Sequence, residues 1–226
     1  MKYIIIGLGF FGSTLASKLT SMGHEVIGID KHPESADELK DRITRVMIMD
    51  SSKPAALQSL PLADVDAVIV AIGNDIGASV LTLSILKKLN IKRLIGRAIN
   101  PMHQDILGEL GIEEIIHPEQ DTAIEVATML MLKDTVNAMI VNDQYIIAEV
   151  KIPQRYIGHT LETVNLETRF DLKLIAVKTA PPDKGLAIFL KNDFQVDMSC
   201  DSQRPLQEKD RIVLIGDIEN MKRFLD

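Results

Sequence analysis

The amino-acid sequence predicts an α/β protein, with a doubly wound parallel sheet in its first half and a small α+β lobe in its second. Short apolar runs alternate with longer amphipathic runs through residues 1–117. Several of the apolar runs, such as IIIG and AVIVAI, are continuous rather than alternating, as strands of a parallel sheet buried on both faces must be. After His117 and Pro118 this pattern stops and a different one begins.

Short apolar runs in the first half predict strands at residues 3–6, 25–30, 45–49, 67–72, 93–96 and 114–116. The segments between them predict helices at residues 11–22, 33–39, 54–60, 75–89 and 101–110. Regular alternation of strand and helix indicates strand–helix–strand units, which build a doubly wound sheet.

The second half begins with a predicted connecting helix over residues 118–139. Its sequence places Ala, Val, Met and Leu on more than one helical face, so part of it is expected to pack outside its own sheet or to cover the edge of its own domain. Residues 140–226 carry the strand-like runs MIV, YIIAEVKI, LKLIAVK, AIFLK and RIVLIG, a helical stretch near residues 161–166 and a turn signal, PPDKG. This pattern predicts a mainly antiparallel α+β lobe. The predicted domain boundaries are 1–117 for the doubly wound domain, 118–139 for the connecting helix and 140–226 for the C-terminal lobe.

Composition limits the classes of function. The 226 residues carry a net charge of −7, which disfavours binding to nucleic acid or to an anionic membrane surface. The single cysteine, Cys200, excludes an intramolecular disulfide and a multi-cysteine zinc site. Apolar runs fall short of the roughly 18 residues that a membrane span requires, and a strand directly after Lys2 leaves no room for a signal peptide. We therefore expect an intracellular protein.

The stretch GLGFFG follows the first predicted strand and opens the first predicted helix, which is the context of a dinucleotide-binding glycine motif. Gly7 permits the tight turn, Gly9 lets a phosphate approach the backbone, and Gly12 lets the helix pack close to the strand. The helix N-terminus then offers N–H groups to the phosphates. Asp30, at the end of VIGID, is placed to accept hydrogen bonds from ribose hydroxyls. The motif predicts an adenine nucleotide in a Rossmann-like domain.

Asp30 also bears on which nucleotide binds. Its carboxylate would repel a 2′-phosphate, so NADP is disfavoured. The neighbouring Lys31 either softens that repulsion or is a solvated surface residue. The glycine motif itself leaves NAD and a mononucleotide such as ATP open.

A small NAD-dependent oxidoreductase is the alternative function. A hydride-transfer enzyme needs a proton donor or acceptor near the nicotinamide, often a His, a Lys or a Tyr-x-x-x-Lys pair. None of the three tyrosines is followed by a lysine four residues later, and the five histidines show no ligand spacing. We therefore expect no enzymatic activity and no catalytic residues.

Several segments together resemble the RCK domain, the regulator of potassium conductance that occurs in Ktr and Trk potassium-uptake systems and in some potassium channels. They are GLGFFG, the strand ending at Asp30, MDSS at 49–52, VIVAIGNDIGASVLTLSILKKL at 68–89, RAIN at 97–100, and LGIEEIIHPEQDTAIEVATMLM from residue 110. The resemblance covers the first half and the connecting helix almost without a gap.

The resemblance implies a cytosolic gating subunit of a Ktr-type potassium transporter. Such subunits dimerise through the crossover helix and assemble into an octameric ring on the cytoplasmic face of a potassium-translocating membrane subunit. ATP and ADP favour different ring shapes, and expansion of the ring is transmitted to the pore. A nucleotide shifts such an equilibrium only by the difference in its affinity for the two states.

The resemblance also implies the positions of the ligand contacts. The glycine loop holds the phosphates and Asp30 the ribose, while Asp50 and Ser51 lie beside the adenine. Residues 72–74 line the pocket at the end of the fourth strand. The full predicted set is Gly7, Gly9, Phe10, Phe11, Gly12, Asp30, Lys31, Asp50, Ser51, Ile72, Gly73, Asn74, Arg97, His103 and Glu119.

Three of these positions have specific implied roles. Arg97 faces phosphate or ribose, His103 lies near the nucleotide, and Glu119 reaches a phosphate-bound cation such as Mg²⁺ at the dimer seam. Judged on residues alone, Arg97 is equally a surface ion-pair former. Glu119 is equally an acidic residue stabilised by a helix N-terminus.

Phe10 departs from the Ktr pattern Gly-x-Gly-Arg-Phe-Gly, whose arginine meets the γ-phosphate of ATP in the neighbouring subunit. Without that guanidinium the preference for ATP over ADP is less supported, so ADP, AMP and NAD(H) stay open beside ATP. The C-terminal lobe of Ktr relatives is also a site for cyclic di-AMP. Here Arg155, Arg169 and Lys173 either form a basic patch for it or are solvated charges on a dimerisation lobe.

Overall fold

The computed structural model of the protein describes residues 1–180 and 194–226, which divide into two units, Met1–Gln120 and Asp121–Asp226. The strands of the first unit are β1 (Lys2–Ile6), β2 (Glu25–Asp30), β3 (Arg45–Ile48), β4 (Ala67–Val70), β5 (Leu94–Arg97) and β6 (Glu114–Ile116). Its helices are α1 (Phe10–Ser21), α2 (Pro33–Asp37), α3 (Pro54–Gln58), α4 (Ile76–Lys88), α5 (Pro101–Glu109) and the start of α6 (Pro118–Met131).

The six strands of the first unit form one parallel sheet in the order β3-β2-β1-β4-β5-β6. The order reverses between β1 and β4, so the chain winds outward in both directions from these two strands, as in a doubly wound sheet. The predicted fold class is confirmed. β4 ends at Val70, two residues before the predicted end, because the chain leaves the sheet there to form the loop before α4.

Burial on both faces explains the continuous apolar runs. Successive residues of β1 point to opposite sides of the sheet. Ile4 and Ile6 pack in one hydrophobic cluster with Leu83, whereas Ile5 packs in another with Ala16. The three isoleucines are at most 1% exposed, and each such burial stabilises the fold by about 1.5–3 kcal/mol.

The connecting helix is shorter than predicted. α6 ends at Met131, and β7 (Thr135–Ile140) begins inside the range predicted as helix, 118–139. Asp134 has a φ of 56°, a left-handed conformation that a right-handed helix cannot contain. The following residues include the β-branched Thr135 and Val136, which favour an extended chain. The helix prediction was wrong over 132–139, because a short apolar stretch fits the repeat of a helix as well as that of a strand.

The second unit has a mainly antiparallel sheet, as predicted. Its described strands are β7, β8 (Tyr145–Lys151), β9 (Leu172–Thr179), β10 (Gln195–Asp197) and β11 (Arg211–Asp217), in the spatial order β10-β9-β11-β8-β7. Its described helices after α6 are α7 (Leu161–Val164), α8 (Leu166–Phe170) and α9 (Ile218–Leu225). The predicted turn at 181–185 and the AIFLK strand lie outside the described residues. Within 1–180 and 194–226, every helix is too short or too polar to cross a membrane.

The C-terminal helix α9 was not predicted. Asp217 caps it by accepting hydrogen bonds from the backbone N–H groups of residues 219 and 220. Phe224 stacks on Tyr156 with ring centroids 5.3 Å apart and meets Phe170 edge-on at 5.4 Å. The helix is therefore held by aromatic partners far away in the sequence.

Glu149 of β8 lies between two basic side chains of the same sheet. Lys178 donates to one carboxylate oxygen at 2.6 Å and Arg211 to the other at 2.9 Å, and the Glu149 side chain is only 13% exposed. Burial alone raises the pKa of Glu149, but the hydrogen bonds and charges of Lys178 and Arg211 outweigh it, so the pKa lies below its usual value.

We expect Glu149→Gln to lower the free energy of unfolding by about 1–3 kcal/mol at pH 7, because both basic groups lose a charged partner. A folded-state pKa below the unfolded one means that this stabilisation is complete above the unfolded pKa of about 4.3 and is lost as pH falls through the folded pKa. Urea unfolding of both proteins at pH 7 and below pH 4 checks this. Glu208→Gln, at an exposed position of the same unit, is the control and should change little at either pH.

Candidate functional site

A cleft of about 960 Å³ opens at the carboxyl ends of β1, β2, β4 and β5. It spans the point where the strand order reverses, which is where ligands bind in open α/β sheets. The predicted residues that line it are Gly7, Gly9, Phe10, Phe11, Asp30, Lys31, Asp50, Ser51, Ile72, Gly73, Asn74, Arg97 and Glu119. The lining residues that sequence analysis missed are Ile6, Ile29, His32, Ser35, Ala71, Asp75, Ile76, Ala78 and Ile99.

The glycine loop connects β1 to α1. Gly7 has a φ of +94°, and a Cβ there would lie 2.8 Å from the backbone nitrogen of Ile72, so both the turn and the close approach require glycine. Gly9 is the N-cap of α1, and apart from its chain neighbours no described residue has an atom within 4 Å of the position of a Cβ there. A Cβ at Gly12 would overlap the carbonyl oxygen of Gly7. Gly12 therefore lies under the loop as a packing residue, outside the lining of the cleft.

The N-terminus of α1 faces this loop without a side-chain cap among the described residues. The first N–H groups of a helix have no intrahelical acceptor, and the helix dipole places a partial positive charge there. An anion at the loop would supply both the missing acceptors and the opposite charge. Phe10 begins α1 and is 91% exposed at this edge of the cleft.

Asp30 has a role in the loop that sequence analysis did not predict. One carboxylate oxygen accepts a hydrogen bond from the backbone N–H of Leu8 at 2.7 Å, and the other accepts one from the backbone N–H of His32 at 2.9 Å. The Leu8 bond ties the glycine loop to the end of β2. Because each carboxylate oxygen has two lone pairs, acceptor capacity remains for a ligand hydroxyl in the cleft.

Asp50 and Ser51 follow β3, on the same side of the cleft as Asp30. The side chain and backbone N–H of Ser52 both donate to Asp50, and these bonds lower the pKa of its carboxyl. The buried hydroxyl of Ser51 shares a hydrogen bond of 3.0 Å with Thr82 of α4. Asp50 therefore presents an ionised carboxylate to the cleft, while the Ser51 hydroxyl is used inside the protein.

An ion pair lies between the two sides of the cleft. The Lys31 ammonium and the Asp75 carboxylate are 3.8 Å apart, and both side chains are about half exposed. Such exposed pairs contribute little to stability. Asp75 also caps α4 by accepting a hydrogen bond from the backbone N–H of Ala78 at 2.9 Å. The N-cap role of Asp75 can be recognised from the sequence, because Asp stands directly before a helical pattern. The position of Asp75 in the cleft depends on the fold.

Arg97 lies at the end of β5, on the opposite side from Asp30. One terminal nitrogen donates to the carbonyl oxygen of Ala71 at 3.2 Å, and the other donates to a carboxylate oxygen of Glu119. The guanidinium also lies over the ring of Phe11, 5.3 Å from its centroid. A Cβ at Gly73 would lie 2.9 Å from the guanidinium, so a larger residue in the loop after β4 would push the end of the Arg97 side chain aside.

His103 does not line the cleft. The structure buries its side chain completely in α5, and neither ring nitrogen has a hydrogen-bond partner among the described residues. Burial lowers the pKa of the imidazole, which favours its neutral form. The expected position near a nucleotide is therefore corrected to a core position. The burial of His103 was not predictable from spacing, because helix α5 is short and its buried face depends on the packing around it.

Two further predictions concern ions and a second ligand. Residues 1–180 and 194–226 contain no group of three or more His, Cys, Asp or Glu side chains arranged to hold a metal, so a cation at Glu119 would need further ligands from a bound phosphate. In the second unit, Arg155 donates to the carbonyl oxygen of Phe224 at 2.6 Å, and Arg169 lies over the ring of Phe170. Both arginines therefore make contacts within the second unit. Binding of cyclic di-AMP to this unit stays a prediction.

The arrangement of the cleft suits a phosphorylated nucleoside. The loop and the start of α1 offer backbone N–H groups to phosphate, Asp30 offers acceptors to ribose, and Arg97 offers a cation on the far side. The carboxylates of Asp30 and Glu119 are already hydrogen-bonded within the protein. These groups are placed to hold and orient a ligand.

Comparisons with known proteins identify a family model, a relative and two solved structures to which the chain is similar. The family model described as the TrkA-N domain matches residues 3–118. Ktr system potassium uptake protein C of Bacillus subtilis is 27% identical over 223 residues, covering 99% of this chain and 95% of that protein. The crystal structure of the GsuK RCK domain aligns with a TM-score of 0.65 at 16% identity, covering 97% of this chain and 46% of that one. The GsuK channel bound to NAD aligns with a TM-score of 0.63 at 16% identity, covering 99% and 38%.

Proposed function

The chain belongs to the TrkA-N domain family, and from this premise we propose that it is a nucleotide-binding regulatory subunit of a potassium transporter, without catalytic activity. The observation that carries the proposal is the cleft at the β1/β4 reversal, where the glycine loop, the N-terminus of α1 and Asp30 converge. The similarity to a potassium uptake protein over 99% of this chain supports the same function.

The proposed ligand is an adenine nucleotide, with ATP or ADP first and NAD(H) or AMP as the other members of the class. The loop and α1 hold the phosphates, and Asp30 holds the ribose. A neighbour in fold, the GsuK channel, has been solved with NAD bound, which supports including the dinucleotide. A phosphate-bound cation such as Mg²⁺ would take Glu119 as its protein ligand.

The proposed mode of action is a population shift in an assembly. Dimers assemble into an octameric ring, which lies on the cytoplasmic face of the membrane through a potassium-translocating partner. A nucleotide that binds one ring state more tightly shifts the ring toward that state. Several coupled sites add their individual preferences, so a small difference per site is sufficient.

The first test is a thermal-shift titration of the purified protein with ATP, ADP, AMP and NADH. At a ligand concentration 100 times Kd, binding stabilises the folded protein by about 2.7 kcal/mol, which corresponds to a rise in Tm of about 5 °C or more. We expect at least one of the four nucleotides to produce this rise. Absence of a shift with all four would contradict the proposed function.

Turnover assays distinguish this function from the oxidoreductase alternative. Incubation with NADH and a panel of small carbonyl compounds should leave the NADH absorbance unchanged over hours. Steady oxidation that depends on both protein and carbonyl compound would favour the enzyme instead. Sedimentation at micromolar concentration adds a check on assembly, because a stable monomer would contradict the ring.

A further inference from the structure

Arg97 and Glu119 form an ion pair on the β5 side of the nucleotide cleft. The two side chains differ in how firmly they are held. Arg97 is 14% exposed and is fixed by Ala71 and the Phe11 ring, whereas Glu119 is 60% exposed. Glu119 is therefore the member of the pair that is free to leave.

The guanidinium lies within reach of a ligand phosphate. It stacks over Phe11, which is in the first turn of α1, where the glycine loop would hold phosphates. Guanidinium groups bind phosphate and carboxylate through the same N–H groups. One terminal nitrogen of Arg97 is used by Ala71 and the other by Glu119, and Nε is buried without a hydrogen-bond partner in the part of the chain that the structure describes. Each terminal nitrogen carries a second N–H, so a phosphate at Arg97 would have to share the positive charge of the guanidinium with the Glu119 carboxylate and would lie close to that anion.

We propose that Glu119 is a specificity-determining residue, which occupies Arg97 in place of a phosphate and thereby disfavours nucleotides with an additional terminal phosphate when no cation is present. This inference rests on the proposed function, since it concerns the same cleft. A ligand whose phosphates end at the glycine loop leaves the pair intact. A ligand with a further phosphate must displace Glu119 or bring a second negative charge close to it. Phe10 offers no cation on this edge to offset that repulsion.

The test is a calorimetric titration of ADP and ATP in EDTA, with wild-type protein and Glu119→Gln. The amide keeps the size of the side chain but removes the charge, so ATP affinity should rise about 10-fold. ADP affinity should change by less than about 3-fold. EDTA chelates divalent cations such as Mg²⁺, so that the Glu119 carboxylate acts as a competing anion rather than as a ligand of a phosphate-bound divalent cation.

Asp75→Asn is the matched control. Asp75 also lines the cleft and is paired with Lys31, and asparagine keeps the N-cap of α4. This variant removes the same charge without touching Arg97, so its ratio of ATP to ADP affinity should stay near that of wild type. In an Arg97→Gln background, Glu119→Gln should change the ratio less than in the wild-type background, because only the direct repulsion between carboxylate and phosphate remains. The unliganded Tm of each variant shows whether it is folded.

The outcomes separate the two proposals. Equal effects of Glu119→Gln on ATP and ADP, no effect on either, or the same selective effect in Asp75→Asn would overturn the role of Glu119 and leave the proposed function standing. A wild-type protein that binds neither ATP nor ADP would overturn this inference, and one that also binds neither AMP nor NADH would contradict the proposed function.

Discussion

Replacing Gly12 with alanine is expected to destabilise the first unit by about 3 kcal/mol or more and to abolish nucleotide binding. The added methyl group would overlap the carbonyl oxygen of Gly7 and lie 3.3 Å from the Cβ of Ala71. Gly7 has little room to move, because its N–H bonds the carbonyl oxygen of Ile29 at 2.8 Å and its own Cβ position is blocked by Ile72. Helix propensity favours alanine by about 1 kcal/mol, so the measured loss understates the steric effect.

Gly9→Ala is the matched control for this variant. Apart from its chain neighbours, no described residue has an atom within 4 Å of a Cβ at Gly9, so urea unfolding should give a stability close to that of wild type. The same methyl group lies where a phosphate would approach the backbone, and calorimetry should therefore show weaker nucleotide binding. Equal stability of Gly12→Ala and wild type would contradict the packing argument, and so would an equal loss of stability in Gly9→Ala.

Asp30→Ala is expected to lower nucleotide affinity about 100-fold or more, because hydrogen bonds to a charged group contribute about 1.5–3 kcal/mol each. Two effects combine here. The ribose loses its acceptor, and the backbone N–H of Leu8, which lies in the glycine loop, loses the bond that ties it to β2. Calorimetric titration with the nucleotide that gives the largest thermal shift measures the change.

Two controls separate these effects. Asp37→Ala removes an exposed carboxylate from α2, outside the lining of the cleft, and should leave affinity unchanged. Asp30→Asn keeps an oxygen that accepts the Leu8 bond but removes the charge, so its affinity should lie between those of wild type and Asp30→Ala. Wild-type affinity in Asp30→Ala would show that the nucleotide binds elsewhere.

The first unit was predictable from the amino-acid sequence, and the second unit was less completely so. The strands and helices of the first unit follow from the alternation of apolar and amphipathic runs, and the predicted β2 and β6 have the observed bounds. The predicted helix over 118–139 was too long, because apolar residues near its end fit a strand equally well. Helix α9 was missed because Phe224 and its neighbours are held by Tyr156 and Phe170, contacts that no local pattern contains.

By itself, the sequence determined the doubly wound fold and the glycine loop, since periodicity and turn chemistry act between residues that are close along the chain. Only the tertiary structure decided three further features. Asp30 accepts a hydrogen bond from the glycine loop, His103 is buried outside the lining of the cleft, and Glu119 forms an ion pair with Arg97. A parallel sheet brings the carboxyl ends of distant strands to one edge. The side chains that meet there, and the hydrogen bonds they form with one another, depend on that packing rather than on spacing in the sequence.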